Sequence, residues 1–453
     1  MVSRHLAASR SFLACAFALA CATARAAPDP HAELVAARLE AAERPVCAAV
    51  GTVGAASRLV FACSRSAGKP AFDRDSVFEI GSISKAFTGL LLAEMVARGE
   101  LALADAAAKH APAGAKLPRR GREITLADLA THASSLPRLP PGFVPVDAFD
   151  PYRGFDADAL YAALARTELA RDVGTAVEYS NFGYLWLSEL LGRRAGKPWD
   201  QLVAERVLAP LGMKSTGVRL APKQAARLVQ GHDLERRPVP PWTLAPELAG
   251  AGGLRASAGD MLRFAESVAG RRETPLAPVI AATFTKMRPV GLETNMAIGW
   301  GMRERPVGRL FFHNGATGGH RAILVANPDA RTAAFVLSDS EANLDDLALH
   351  LVDPSLPIRK LRVAIAMQEA KLEEFVGEYR LAPDFTLAVA RRGARLFAGA
   401  AGQGAVEIFA EAPDQFFARE IEAQFAFRRG ADGRVEEIVL YQGGREIPGA
   451  RVK

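Results

Sequence analysis

The chain has 453 residues, 49% of them hydrophobic and 23% charged, with a net charge of +6. These values exclude collagen, coiled coil and extensive disorder, and the length suggests about two to three globular domains. Arg4, Arg10 and Arg25 place three positive charges in the first 26 residues, leaving only +3 beyond them; with no Lys/Arg cluster interleaved with aromatics, nucleic acid is not an expected partner.

Residues 1–26 read as an export signal. A basic stretch (Arg4, His5, Arg10) precedes an apolar, small-residue run from Phe12 to Ala24, and Ala24-Arg25-Ala26 fits a small-x-small cleavage site. The run is too short for a bilayer anchor and no later stretch reaches about 18 uninterrupted apolar residues, so stable membrane insertion is not expected. The expected destination is across the inner membrane, the periplasm if the cell is Gram-negative. A helix is predicted over residues 30–43 and a β-hairpin over 46–63, centred near Ala55. Cys15 and Cys21 belong to the signal; Cys47 and Cys63 flank the hairpin at equal distance from its centre. Either a cross-strand disulfide or two small buried thiols would fit.

Asp75 to Ile80 leads into Gly81-Ser82, and the spacing of Phe87, Leu90, Leu91 and Met95 predicts a helix behind it. Thr125 is a candidate N-cap for a helix from Leu126. Residues 137–156 and 231–250 are Pro-rich and read as loops. Helices are predicted over 182–194 and 201–211, two strands around a glycine-rich turn over 309–325, and a buried strand over 333–337. Residues 362–370 look helical. From Thr386 to Tyr441 six short alternating segments recur at roughly 8–12 residues, the pattern of a small all-β barrel. With no His or Cys in it, the barrel is read as non-catalytic.

Three constellations carry chemistry. Ser82-Ile83-Ser84-Lys85 is a Ser-x-x-Lys at a strand-to-helix junction. A serine hydroxyl needs a base, and a lysine three residues on lies over the same helix face; partial burial lowers its pKa so that it can accept the serine proton. Ser66-Ala67-Gly68-Lys69 repeats the pattern but contains Gly68 and is followed by Pro70, so it reads as a turn. Tyr179-Ser180-Asn181 precedes a helix: Tyr179 is placed to relay a proton and Asn181 offers a donor and an acceptor. In His313-Asn314-Gly315-Ala316-Thr317-Gly318-Gly319-His320 a strand ends in a glycine-rich bend, where His313, Asn314 and Gly315 are candidates to meet a substrate and the Ala316 N–H to hold an oxyanion. His132 is read as structural and Trp300 as a wall residue; His320 is read as lying outside the cleft, with lining it as the alternative.

In this order the motifs resemble the penicillin-recognising serine hydrolases, in the class C β-lactamase and D-aminopeptidase branch. Phe78 to Gly89 is similar to the nucleophile segment of that family. Thr131-His132-Ala133-Ser134-Ser135-Leu136-Pro137 is similar to a structural segment of it, with Ser135 where glycine is usual. Pro210 to Met213 and Ala251 to Leu254 add to the resemblance, and residues 372–453 are similar to an appended lipocalin-like domain. The resemblance implies an α/β (α+β) fold, an antiparallel sheet flanked by helices. It implies Ser82 as nucleophile, Lys85 and Tyr179 as proton carriers, His313 orienting substrate and Asn181 contacting its amide, with no cofactor or metal. The third motif begins with His313 where class C β-lactamases usually have lysine. The expected division is a signal over 1–26, a hydrolase domain over 28–355, a linker helix over 356–371 and a barrel over 372–453. The expected partner is a small-molecule or short-peptide amide or ester. The alternatives are a D-aminopeptidase, a short-chain esterase, or a slow penicillin-binding envelope sensor.

Overall fold

The computed structural model describes residues 30–42, 44–233, 235–285, 288–290, 294–360, 362–383, 385–400, 405–418, 421, 423–442 and 445–452. The signal lies outside them. The first helix runs Pro30–Glu40. An eight-stranded antiparallel sheet follows from β1 (Cys47–Val53), β2 (Arg58–Cys63), β3 (Arg288–Val290), β4 (Thr294–Ala297), β5 (Trp300–Arg305), β6 (Gly308–Ala316), β7 (Arg321–Asn327) and β8 (Thr332–Ser338), in the order β2-β1-β8-β7-β6-β5-β4-β3. The N-terminal hairpin thus pairs with the last strand, β1 on β8, and closes the sheet around chain segments almost 300 residues apart. Near-continuous apolar runs in β7 and β8 follow from burial on both faces.

Helix α1 (Ser84–Ala97) is buried nearly all round, from Ser84 to Met95. That explains why its sequence is apolar on more than one face. Phe87 stacks on Phe264 at 4.2 Å, and Phe264 on Trp300 at 6.1 Å. Trp300 is therefore a core residue rather than a cleft wall: Gly299 lets the chain pass close to α1, Gly301 makes room for the Phe312 ring, and the indole turns inward. Helix α2 (Asn181–Ala195) is capped by the Ser180 hydroxyl, which accepts from Gly183 N at 2.9 Å, and stops at Gly196 in the left-handed region. Thr125 caps the short helix Leu126–Ala130 in a reciprocal box with Asp128. Ser135 has φ +61, which is why glycine is the easier residue at that position. The 231–250 segment is not all loop: Gly231–His232 pairs with Pro238–Val239.

The helix expected over 362–370 forms only over Glu369–Glu373. Ile365 N instead donates to Ala410 O at 2.8 Å, running the segment along a barrel strand; Val363 and Ile365, β-branched and two apart, suit extended chain better than helix. Eight strands then close a barrel: β9 (Gly377–Ala382), β10 (Phe385–Arg392), β11 (Arg395–Ala400), β12 (Val406–Ala412), β13 (Gln415–Ala418), β14 (Gln424–Arg429), β15 (Val435–Gln442) and β16 (Arg445–Arg451), with β16 pairing back to β9. The six segments read from sequence fall in β10 to β15. The interior is packed: Phe375, Tyr379, Phe416 and Phe427 meet at ring distances of 4.7 to 5.6 Å.

Cys47 and Cys63 face each other in the hairpin register and are joined as a disulfide. Closing a loop of this size removes unfolded-state entropy worth about 3 kcal/mol. Cys63→Ser is expected to lower the unfolding free energy by about 2–3 kcal/mol in urea titrations. A variant as stable as the parent would show that the strand pairing alone sets the stability of this edge.

Candidate active site

A cleft of about 410 Å³ opens where the start of α1, the start of α2 and the end of β6 converge. Ser82, Tyr179, Asn181, Asn314, Gly315 and Ala316 line it. Lys85 lies beneath, fully buried. Its Nζ is 3.0 Å from Ser82 Oγ, 2.9 Å from Asn181 Oδ1 and 2.5 Å from the Ala251 carbonyl. Burial, and secondarily the Arg138 guanidinium, hold this amine well below the ordinary lysine range. A neutral amine has two N–H groups and one lone pair. The amide oxygen of Asn181 and the carbonyl of Ala251 can only accept, so they take the two N–H groups. The lone pair is left facing the Ser82 hydroxyl. Asn181 is fixed in this sense because its Nδ2 donates to Tyr152 Oη at 3.2 Å.

Tyr179 lines the cleft together with Ser82, and its ring centroid is 5.0 Å from Lys85 Nζ. Burial pushes its phenol up to about 12, against the opposing pull of Ser82 and Arg138, so it keeps its proton at any ordinary pH. Ser82 therefore stands beside one group able to take a proton and one able to give one.

The end of β6 presses directly on the turn that carries Ser82. A Cβ at Gly315 would fall 2.1 Å from Ile80 O and 2.7 Å from Ser82 N; one at Gly81, whose φ is +48, would fall 2.7 Å from Ala316 N. This close approach sets the Ser82 and Ala316 amides side by side at the cleft floor. Both glycines are needed for contact, and Gly81 for its backbone angle as well. Behind the turn, the buried Glu79 carboxylate accepts from Trp242 N and from Thr317 Oγ1, each at 2.8 Å, and lies 3.6 Å from Arg255 Nε. Burial raises its pKa while Arg255 and these donors oppose the rise.

His313 departs from expectation. It is not on the cleft wall; its ring is buried behind Tyr179, 6.3 Å between ring centroids, with Nδ1 2.7 Å from the Asn314 carbonyl. The strand alternation that sends Asn314 outward turns His313 in. Desolvation, then Lys85, lower its pKa to about 3, so it stays neutral. His320 is also buried away from the wall, edge-on to Phe78 at 6.1 Å. His132 lies just past its helix, with φ +57. The second Ser-x-x-Lys sits in a turn around Arg65–Ala67 with Lys69 exposed.

Four polar or aromatic wall residues had no sequence signal: Arg138, Tyr152, Trp242 and Arg321. Three come from the two irregular Pro-rich segments. The cleft wall holds two arginines and no carboxylate. Arg321 Nη2 is 3.3 Å from Asp345, which also accepts from Asn314 Nδ2 at 2.6 Å. Arg138 has no carboxylate partner among the described residues; its guanidinium lies 5.2 Å from the Tyr179 ring.

Residues 32–352 match the protein family described as Beta-lactamase, and residues 361–451 match a Domain of unknown function (DUF3471). The D-alanyl-D-alanine-carboxypeptidase/endopeptidase AmpH of Escherichia coli is 31% identical over 283 residues, 58% of this chain and 71% of that protein. A Beta-lactamase of Pseudomonas fluorescens is 29% identical over 245 residues, 53% of this chain and 64% of that protein. The crystal structure of D-alanine carboxypeptidase AmpC from Burkholderia cenocepacia shares the fold at 23% identity and a TM-score of 0.61, covering 72% of this chain and 98% of that one.

Gly315→Ala is expected to push β6 off the Ser82 turn, lowering stability by about 1–3 kcal/mol and abolishing activity in the folded fraction. Wild-type stability in denaturant titrations would show that the two segments are not in the contact described.

Proposed function

The chain belongs to the Beta-lactamase family of serine hydrolases, and from that premise we propose that it is an exported hydrolase that cleaves a carboxylate-bearing amide through an acyl-Ser82 intermediate. The first reading is a D-alanyl peptide; the second is a β-lactam. The observation that carries the proposal is the buried amine of Lys85, its pKa lowered by burial, 3.0 Å from the Ser82 hydroxyl. Lys85 takes the Ser82 proton as Oγ attacks the carbonyl carbon. The Ser82 and Ala316 N–H groups hold the oxyanion, and Asn181 meets the substrate amide. As the C–N bond breaks, Tyr179 gives its proton to the leaving nitrogen and recovers one from Lys85. Water, deprotonated by the same pair, then hydrolyses the acyl-serine. Asn314 and Gly315 border the leaving group, and His313 acts from behind Tyr179 as a neutral ring.

The two wall arginines favour an anionic substrate. A D-aminopeptidase must accommodate a substrate ammonium, for which the described wall residues offer no carboxylate, and a small neutral ester would leave Arg138 without an anionic partner. Both D-alanyl peptides and β-lactams carry the matching carboxylate. Replacement of lysine by a neutral His313 removes one cation from the site, which favours the peptide over efficient β-lactam turnover. The Cys47–Cys63 disulfide supports an oxidising compartment. Among the described residues no helix is long and apolar enough to cross a membrane.

Intact-protein mass spectrometry of the mature protein with fluorescent penicillin, alongside release of D-alanine from a D-alanyl-D-alanine peptide, tests this reading. Turnover of the peptide with a transient adduct, both lost in Ser82→Ala, is expected. A persistent adduct without peptide cleavage would identify a penicillin sensor, and no Ser82-dependent reaction in a folded protein would remove Ser82 from the chemistry.

The pH profile gives a second test. Activity needs Lys85 unprotonated, so kcat/KM falls as pH drops through its lowered pKa. Tyr179, pushed up to about 12, adds no alkaline limb in the neutral range. Arg138→Ala removes a cation that disfavours the ammonium; the Lys85 pKa rises and the acid limb moves to higher pH. An acid limb that stays in place would show that Arg138 does not act on Lys85. The same variant and Arg321→Ala are expected to raise KM for the free peptide roughly 10-fold and far less for its C-terminal amide; equal effects on both would discount carboxylate recognition.

A further inference from the structure

His132 contacts three consecutive residues of the Tyr179 segment. Its carbonyl accepts from Glu178 N at 2.8 Å. Its ring Nδ1 accepts from Ser180 N at 3.1 Å. Its ring lies against the Tyr179 ring, with 4.5 Å between centroids and 33° between planes. The backbone N–H groups of the residues before and after Tyr179 are thus tied to one residue, whose own ring also supports the phenol. On its other side the imidazole rests on Tyr184 at 5.0 Å. Tyr184 Oη is anchored by donating to Ala130 O at 2.7 Å, so the support is itself fixed.

Two features set this apart from ordinary packing. His132 holds φ +57, a left-handed conformation that is costly for a residue with a side chain and that aims its carbonyl and ring together at the 178–180 segment. The ring must also be neutral with its proton on Nε2, because Nδ1 is used as an acceptor. Burial, the Lys85 and His313 side chains and Arg138 all disfavour a second proton.

We propose that His132 is a positioning residue for the reaction: by holding both flanking amides and the ring of Tyr179, it fixes the phenol against Ser82. The proposal rests on the reading of Tyr179 as the proton donor to the leaving group. It assigns His132 no contact with substrate.

The test uses two substitutions in the full-length mature protein. His132→Asn keeps tolerance of the left-handed backbone and places a carbonyl oxygen near the Nδ1 position. His132→Gly also accepts the backbone angle but removes ring and acceptor together. On a D-alanyl-D-alanine peptide, kcat of the Gly variant is expected to fall roughly 10- to 100-fold, since small misplacement of a reacting group costs about that much. KM should change less than about threefold, and the Asn variant should recover most of kcat. A Gly variant that is folded at the assay temperature and keeps wild-type kcat, or an Asn variant as impaired as the Gly variant, would overturn the proposal. If wild-type protein does not cleave the peptide, the functional reading has failed and crystal structures decide this one. A Tyr179 phenol displaced from Ser82 in the Gly variant but not in the Asn variant supports the clamp; a phenol in its original place in the Gly variant overturns it.

Discussion

A lysine with no carboxylate to pair with among the described residues, and no contact with water, is the constraint around which the catalytic half is organised. An ammonium buried without a counter-charge costs several kcal/mol, and no carboxylate among the described residues offsets that cost at Lys85. The surroundings supply two uncharged acceptors, two aromatic rings and, at the mouth of the cleft, another cation. Burial therefore lowers the pKa of the amine, with no anion to hold it up. The amine stands on a helix buried from Ser84 to Met95, beside the Ala251 carbonyl and near a third motif whose leading side chain is a neutral imidazole. A cation at position 313 would lower the Lys85 pKa further; His313 leaves it where one lone pair and one hydroxyl can share a proton.

The part of the site that lies next to a regular element was legible in the sequence. Ser82 and Lys85 are three residues apart on one helix start, so local geometry alone brings them together. Tyr179 and Asn181 stand at another helix start announced by its Ser180 cap. Ala316 ends a strand whose glycine turn is visible by eye. The six barrel strands found between Thr386 and Tyr441 declare themselves by alternation, whereas β9 and β16 do not, being shielded from view by Gly377, Pro448 and Gly449. Residues that act across the chain were not legible. Arg138, Tyr152 and Trp242 come from segments without periodicity, and Arg321 is one arginine among many until the fold turns it into the cleft. His313 shows the opposite failure: the motif located it correctly in sequence, but strand alternation put its ring behind Tyr179. His132 read as structural because nothing local reveals that residues 178 to 180 return to it.

The two halves are built on different terms. The catalytic half buries charged and polar groups and holds several of them through long-range partners, Glu79 being the plainest case. One carboxylate there joins the strand before Ser82, the loop that carries Trp242, and the residue after Ala316. Among its described residues the barrel has no comparable polar interior. Phe375, at the end of its entry helix, meets Phe416 and Phe427 inside, so apolar packing and closure of the hydrogen-bond ladder suffice to hold it. With its interior occupied by its own side chains, any contact it makes with other molecules is made by its outer surface.

The contact between Gly81 and Gly315 bears on how this scaffold can diversify. At that crossing even a single methyl group lacks room, so two positions beside the reactive hydroxyl are closed to variation and the floor of the cleft is inherited as a unit. The walls are under no such restriction. Apart from Arg321 at the start of β7, their selective residues stand on irregular, proline-bearing loops that contribute few ladder bonds and can lengthen, shorten or exchange side chains without disturbing the floor. Descendants of such a chain would keep one reaction and change what they apply it to.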